Sequence, residues 1–459
     1  MEYVPVELGT ESISRLLKKY AIPAIIAMTA SSLYNMVDSI YIGQGVGALA
    51  ISGIAVTFPI MNLTTAFGTL VGAGAATVIS ILLGQKNYTI ARKVLGNVVT
   101  LSVMIGALLQ AACLVWIDPI LYFFGASPAT IGFARDYLQI ILWGTIVTFL
   151  YFGLNNVVRT SGRPKLAMAV TLLTVTLNVM LDPVFIFGFK MGVRGAALAT
   201  VICQFISLVW ICFILSDKRN LIHFSRDIFR LDWEIDKRIF SIGLAPFLMN
   251  AASCFVVMFI NKQALRLGGD MAVGAYGISN RFSFLFVMVA FGFTQGMQPI
   301  ASYNYGAKLH HRVTEVLRRT IIYATMTTTV LFLLGELIPN IAVRLFTHDD
   351  ALVAQSIPAM RIIVAAMPLV GYQIVVSNFF QCIGIAKKAI FLSLSRQLLF
   401  LIPLLIALPE IMGLNGVWWS MPIADSVAFL IAWIMLERQK KQFKAVINSD
   451  NSTIPAQNE

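Results

Sequence analysis

The chain has 459 residues, of which 58% are hydrophobic and only 12% are charged, and its formal net charge is +12. Soluble domains are typically about 25% charged, so this composition excludes a soluble globular protein and predicts a membrane protein with several spans. The positive charge does not indicate a nucleic-acid partner, because most Lys and Arg residues fall in alternate loops between apolar segments.

Twelve apolar segments are long enough to cross a bilayer. In chain order they lie near 20–43, 52–83, 94–117, 131–156, 166–189, 195–216, 239–264, 272–304, 317–339, 352–380, 388–409 and 415–437. Lys and Arg are enriched in both flanking ends and in every second loop, which by the positive-inside rule places both termini in the cytoplasm. We therefore predict an all-α membrane protein with twelve transmembrane helices in the plasma or inner membrane.

The two halves of the chain repeat each other at an offset of about 221 residues. Gly192-Val-Arg-Gly195 matches Gly413-Leu-Asn-Gly416, and Pro23 matches Pro246. Six spans per half is an even number, so both halves enter the membrane from the same side and the repeats are parallel. The predicted organisation is a cytoplasmic segment over 1–19, a first lobe over 20–216, a cytoplasmic linker over 217–238, a second lobe over 239–437 and a cytoplasmic tail over 438–459.

Two aspartates lie inside apolar segments, Asp38 in the first and Asp182 in the fifth. A charge at bilayer depth costs at least about 2.5 kcal/mol, and neither acid has a Lys or Arg partner within its own segment. Such a carboxyl group keeps a proton or holds a cation. The matching positions in the second half, near Phe259 and Pro403, are not acidic, which favours a functional over an architectural role. The pattern predicts an ion-coupled transporter with Asp38 and Asp182 as the coupling residues.

Polar residues accompany these acids. Tyr34 and Asn35 precede Asp38 by four and three residues, and therefore share its helix face. Asn178 likewise precedes Asp182 by four residues, and Thr200 lies at a similar depth in the sixth segment. The candidate cation network is thus Tyr34, Asn35, Asn178 and Thr200.

Prolines indicate where helices are weakened. Pro183 follows Asp182 and frees a backbone carbonyl near Val179, while Pro23 is a candidate kink in the first helix. Pro59, Pro246 and Pro299 are further candidate kinks.

The donor atoms suit two coupling ions. The carboxylates of Asp38 and Asp182 with the side chains of Asn178 and Thr200 form an oxygen-only set that suits Na⁺. Two neighbouring buried acids also suit H⁺, because desolvation and mutual repulsion both favour keeping a proton. We favour protons.

Other interpretations stay open at this point. The polar residues alone could pin helices together, although interhelical hydrogen bonds contribute only about 0.6 kcal/mol each and need no charge. In the second half, Arg281, Arg396 and Asp425 are candidate site residues, and an internal Arg396–Asp425 pair that neutralises itself is the interpretation we favour. The cysteines and histidines show no metal-ligand spacing, so we expect no cofactor.

The sequence resembles the MATE (multidrug and toxic compound extrusion) family over about 15–440. The resemblance rests on Tyr34-Asn-Met-Val-Asp38, on the loop Arg159-Thr-Ser-Gly-Arg-Pro-Lys165, and on Asn178-Val-Met-Leu-Asp-Pro-Val-Phe-Ile-Phe-Gly188 followed by Gly192-Val-Arg-Gly-Ala-Ala197 and Ala199-Thr200. It implies two six-helix lobes around a central cleft that export drug-like organic cations, antibiotics among them, in exchange for H⁺ or Na⁺. Coupling acids in the first lobe are similar to those of the DinF-like branch. There, positions matching Tyr34, Asn178 and Thr200 join the cation network, and the proline matching Pro23 marks a bend.

Two alternatives to drug export remain. A flippase for a lipid-linked sugar shares this helix arrangement, but such proteins commonly have additional helices and basic cavities. An intramembrane aspartyl protease also places two aspartates in neighbouring helices, but it carries Gly-x-Gly-Asp, whereas Asp182 follows Val-Met-Leu and precedes Pro183. We therefore expect a transporter rather than an enzyme, acting as a monomer on small amphipathic cations within the lipid bilayer.

Overall fold

The structure is a computed structural model that describes residues 6–225, 231–347 and 349–452. Helices dominate throughout. Those of the first half are α1 (Glu7–Thr10), α2 (Ile13–Gly45), α3 (Ala48–Gly84), α4 (Tyr88–Val115), α5 (Ile117–Phe123), α6 (Ile131–Trp143), α7 (Thr145–Thr160), α8 (Pro164–Pro183) with a π-helical turn over Val184–Gly188, and α9 (Val193–Ser216). Those of the second half are α10 (Trp233–Gly306), α11 (His310–Leu337), α12 (Pro339–Arg344), α13 (Asp350–Val364), α14 (Met367–Cys382), α15 (Ala386–Leu394) with a π-helical turn over Ser395–Leu401, α16 (Ile402–Met412) and α17 (Leu414–Ser452).

The all-α membrane fold predicted from the sequence is confirmed. Eight of the described helices are long and apolar enough to cross a membrane, and two bent pairs, α6 with α7 and α13 with α14, raise the number to ten. One of the eight, α10, holds two predicted segments joined at Gly269, whose φ of 65° interrupts the helix. The first predicted segment is the 33-residue α2. When α10 is counted as two segments and α2 is added, each of the twelve predicted segments corresponds to a helix or to a bent pair of helices.

Two sharp bends lie at positions that the search for prolines did not name, and the kinks at the named prolines stay predictions. The pair α6 and α7 is bent by 54° at Gly144, and the pair α13 and α14 by 48° at Ala365 and Ala366. Gly144 is tightly packed, since a Cβ atom there would lie 2.5 Å from the Val201 side chain of α9. The bend therefore depends on a contact that is distant in sequence, which the search for prolines could not reveal.

The backbone repeats the same special conformations in both halves. Gly162 and Gly384 have φ of 94° and 74°, and Gly192 and Gly413 have φ of 58° and 59°. The predicted repeat is confirmed at the level of conformation, because glycine is the residue that adopts positive φ most readily. Even two non-glycine residues at equivalent positions, Lys86 and Lys308, share a positive φ of 59° and 60°.

Two compact units divide the described chain. One contains Pro23–Cys254, and the other contains Glu7–Ile22 together with the residues from Phe255 onward. Each unit thus includes the first part of a helix whose remainder belongs to the other unit, namely the start of α2 and residues 233–254 of α10. The contiguous lobe boundaries drawn from the sequence, 20–216 and 239–437, stay predictions.

Each of these two partial helices packs against the rest of its unit through small residues. In the first unit, a Cβ atom on Gly243 of α10 would lie 1.8 Å from the Leu70 carbonyl oxygen of α3. In the second unit, a Cβ atom on Gly296 would lie 2.5 Å from the Cα atom of Ala21. Gly243 lies three residues before Pro246 and Ala21 lies two residues before the matching Pro23, so both units contain a close helix crossing in the corresponding part of the repeat. Small residues allow such backbone approach in membrane proteins.

We expect Gly243→Ala to destabilise the first unit by about 1–3 kcal/mol, because the added methyl group overlaps the Leu70 carbonyl. The matched control is Gly277→Ala in the same helix, where no atom lies within 4 Å of the added Cβ, and a gain of up to about 1 kcal/mol in helix propensity is expected. Thermal melting of the purified protein in detergent measures both. Equal melting temperatures for the two variants would contradict the close packing.

Candidate functional site

The two intramembrane aspartates meet inside the first compact unit. Asp38 of α2 is 8% exposed and Asp182, at the end of α8, is fully buried. Pro183 closes α8, and the chain then widens into the π-helical turn Val184–Gly188. Proline cannot donate a backbone hydrogen bond, and π-helical turns are frequent at functional sites. The sequence therefore interrupts regular helix directly beside Asp182.

The carboxyl groups of Asp38 and Asp182 lie within hydrogen-bonding reach of each other. Two ionised carboxylates are both acceptors, so this contact becomes a hydrogen bond only when one of them carries a proton. Without that proton, Asp38 Oδ1 and both Asp182 oxygens accept no well-formed hydrogen bond from a donor among the described residues. The pair is thus built for an added positive charge, either a shared proton or a bound cation.

Asn178 and Thr200 complete the polar surroundings of the acids. Asn178 Nδ2 donates to Thr200 Oγ1 at 3.3 Å, and Thr200 Oγ1 donates to the Ala196 carbonyl at 3.1 Å. The Asn178 side chain is also close to Asp182, and its own Oδ1 is buried without a donor in the described part of the chain. The hydroxyl of Tyr34 reaches Thr200. The four orphaned oxygens of Asp38, Asp182 and Asn178 form an oxygen-only donor set, which suits a hard cation such as Na⁺ as well as a proton.

The remaining sequence candidates fall in different places. Pro23 lies inside α2, at the residue where the helix passes from one compact unit to the other. The side chain of Asn35 lies outside the part of the chain that the structure describes. Asn155, in the second half of α7 and outside the predicted network, donates to Thr171 Oγ1 at 3.1 Å.

The sequence did not reveal two neighbours of the acids. The Tyr137 side chain of α6 is 2% exposed and lies within electrostatic range of Asp38, Tyr34 and Asp182. Cys203 of α9 is fully buried and lies close to Asp182. No local spacing links Tyr137 to α2 or α8. Cys203 follows Thr200 by three residues and so shares its helix face, which was a usable signal.

Further hydrogen bonds fix the helices that carry the site. Thr174 Oγ1 of α8 lies 2.7 Å from Ser207 Oγ of α9 and 3.2 Å from Tyr151 Oη of α7. Thr148 Oγ1 donates to Gln204 Oε1 at 2.5 Å, which joins α7 to α9. These contacts perform the helix-pinning role with neutral groups, as expected of hydroxyl and amide side chains in a membrane.

Two charges in the second unit neutralise each other, as predicted. Arg396 Nε donates to Asp425 Oδ1 at 2.5 Å, and the Asp425 side chain is 3% exposed. Arg281, the other candidate there, is exposed. Arg396 and Asp425 therefore neutralise each other, and neither charge requires a ligand.

We expect Arg396→Met alone to destabilise the protein by about 3–5 kcal/mol, because Asp425 then becomes a buried charge without its partner. The double variant Arg396→Met with Asp425→Leu should recover most of that stability and retain transport. Thermal melting and vesicle transport measure the two effects. A double variant that melts normally but no longer transports would assign the pair a functional role.

Comparison with known proteins identifies the family. A model of the MatE family matches residues 23–184 and again 244–406, which reproduces the internal repeat. The multidrug export protein MepA of Staphylococcus aureus (strain N315) is 27% identical over 91% of this chain and 92% of that protein. The solved structure of the MATE multidrug transporter DinF-BH is 37% identical, with a TM-score of 0.89 over 96% of this chain and 99% of its own.

An outward-facing multidrug resistance MATE transporter of the MOP superfamily shares the fold, with a TM-score of 0.91 at 24% identity over 97% of this chain and all of its own. These likenesses agree with the resemblance read from the motifs around Asp38 and Asp182. They set aside the intramembrane protease and favour drug export over the flippase. The chain belongs to the MATE family, in its DinF-like branch, and is a multi-pass membrane transporter for multidrug efflux.

Proposed function

We propose that this transporter is an antiporter that exports drug-like organic cations in exchange for an inward-moving cation bound at Asp38 and Asp182. The observation that carries this proposal is the set of buried oxygens of Asp38, Asp182 and Asn178 that lack a donor among the described residues. Leaving such groups unpaired in a low-dielectric interior is costly, so the site favours a state that contains an added positive charge.

We propose H⁺ as the coupling ion. The proximity of the two carboxyl groups supports protons, because a single proton converts two repelling acceptors into a hydrogen-bonded pair. Na⁺ is the alternative that the same oxygens support, with Asp38, Asn178, Asp182 and Thr200 as its ligands. In either case the ion occupies the place that an organic cation would use to balance the same negative charge.

The charge distribution and the site also support a proposal for the orientation and the assembly of the protein. The basic loops support a plasma or inner membrane location with both termini in the cytoplasm. A monomer is sufficient for this mechanism, because both acids and their polar neighbours come from one compact unit of one chain.

Dye transport in proteoliposomes tests the coupling ion. We expect efflux of a cationic dye to be driven by an imposed proton gradient alone and to stop when an uncoupler removes it. An imposed sodium gradient without a proton gradient should drive none. Efflux that needs the sodium gradient and ignores the uncoupler would replace the proton by Na⁺ at the same site.

A further inference from the structure

A furrow on the first compact unit has no role in the ion site. It lies between α7 and α9 and has a volume of about 160 Å³. Its lining is apolar, and consists of Val99, Leu150, Leu154, Leu208, Cys212 and Phe224. Leu154 and Leu208 are almost fully buried, whereas Cys212 is only half-buried and lies beside the opening.

A small polar notch lies next to the loop end of the furrow. Val158 of α7 and Leu215 of α9 line the notch, one helical turn beyond Leu154 and Cys212 of the furrow. The polar part of the notch comes from Ser161, Arg163 and Asn220. The furrow and the notch, together called the depression below, therefore place an apolar and a polar lining one helical turn apart along α7 and α9.

Basic residues surround the polar end. Arg92, Arg159 and Arg163 are half-buried there, and Lys93, Lys165, Lys218 and Arg219 are exposed nearby, with Asp217 as the acidic neighbour. Leu154 precedes Arg159 by five residues, so the furrow begins about 7.5 Å along α7 from the level of the basic residues. That is the separation between the headgroup region and the first part of an acyl chain.

The wall of the furrow is firmly built. Arg92 Nε donates to the Leu221 carbonyl at 2.8 Å, and the Phe224 amide donates to the Leu215 carbonyl at 2.8 Å. Leu221 and Ile222 are buried beneath the basic loops. The first residues after α9 are thus attached to the unit and form one side of the depression.

We propose that this depression binds an anionic phospholipid, with an acyl chain in the apolar furrow and the phosphate at Arg163. The positive rim attracts a negative headgroup and repels an organic cation, so the occupant differs from the proposed transport substrate. A bound lipid would also hold residues 220–224, the start of the connection to α10, against the first unit. The site is independent of the ion assignment at Asp38 and Asp182.

Native mass spectrometry of the full-length protein, titrated with phosphatidylglycerol or phosphatidylcholine, tests the proposal. We expect phosphatidylglycerol to bind at least about fivefold more tightly, and Arg163→Gln to weaken it about fivefold, the effect of one basic residue near a lipid surface. Cys212→Phe, which fills the furrow, should weaken it as well. The matched control is Lys387→Gln, an exposed base at the position of the second unit that matches Lys165 in the repeat, which should leave binding unchanged.

Five outcomes would overturn the proposal. Equal binding of the two lipids would remove the anionic headgroup from the recognition, and equal losses in Arg163→Gln and Lys387→Gln would reduce it to general surface charge. Displacement of the lipid by inorganic phosphate would show that only the phosphate is recognised and that the apolar furrow does not contribute to binding. Displacement by a cationic dye would make the furrow a substrate path. If Arg163→Gln does not fold, unchanged lipid binding in Cys212→Phe would be decisive against the site.

Discussion

Replacing either Asp38 or Asp182 by asparagine is expected to abolish coupled export while the protein remains folded. The amide has nearly the same shape and keeps hydrogen-bonding capacity, but it neither exchanges a proton nor balances the charge of Na⁺. Dye accumulation against a gradient should fall to the level of vesicles without protein. The two acids contact each other, so we expect each single variant to lose as much as the double variant.

Asp136→Asn is the matched control for these substitutions. Asp136 is also an aspartate of the first unit, but it forms an exposed ion pair with Arg194 at 2.7 Å, and such pairs contribute little to stability. It should transport normally and melt near the wild-type temperature. Wild-type export by both Asp38→Asn and Asp182→Asn would show that the coupling assignment is wrong.

Binding of a cationic dye to the purified protein is expected to weaken as the pH falls. At high pH the ionised acids attract the organic cation, and at low pH a proton takes over that negative charge, so the two ligands exclude each other. A strict one-for-one competition would lower the affinity by up to about tenfold for each pH unit. Fluorescence titration of the dye at a series of pH values measures how much the dye affinity changes for each pH unit.

The same titration of Asp38→Asn provides the internal comparison. Its dye affinity should be weak and nearly independent of pH, because the shared proton can no longer form between two acids. Adding sodium at fixed pH should leave the wild-type affinity unchanged if H⁺ is the coupling ion. Wild-type binding that stays constant from mildly acidic to mildly alkaline pH would contradict direct competition.

Much of the fold was predictable because the features that direct a segment into the membrane are local in the sequence. Segment length, basic loops and the repeated Gly192 and Gly413 motifs each depend on neighbouring residues only, and the helices begin and end within a few residues of the predicted limits for most segments. The acids were equally visible, since a carboxyl group inside an apolar segment is conspicuous on its own. Asp38 follows Lys19 by 19 residues and Asp182 follows Lys165 by 17, so helical rise alone predicts nearly the same depth for the two acids.

The features that escaped prediction all depend on contacts between distant residues. Tyr137 joins the acids through the packing of α6, for which its own segment gives no signal. The bend at Gly144 follows from the approach of Val201, and the crossing of Gly243 over Leu70 from a pairing of α10 with α3. The spacing of glycines in the sequence does not identify the helix that will pack against them. A single sequence therefore predicts what each helix contains better than it predicts which helix it meets.

The exchange of half-helices has a consequence for how the protein is made. Ala21 leaves the ribosome before its packing partner Gly296, which follows 275 residues later in the sequence. At synthesis rates of about 5–20 residues per second, the amino-terminal half of α2 waits roughly 15–55 s for that partner. During this interval its small-residue face can be covered only by lipid, by the insertion machinery or by a chaperone. The amino-terminal half of α2 can therefore complete its packing only after the second half of α10 has been made.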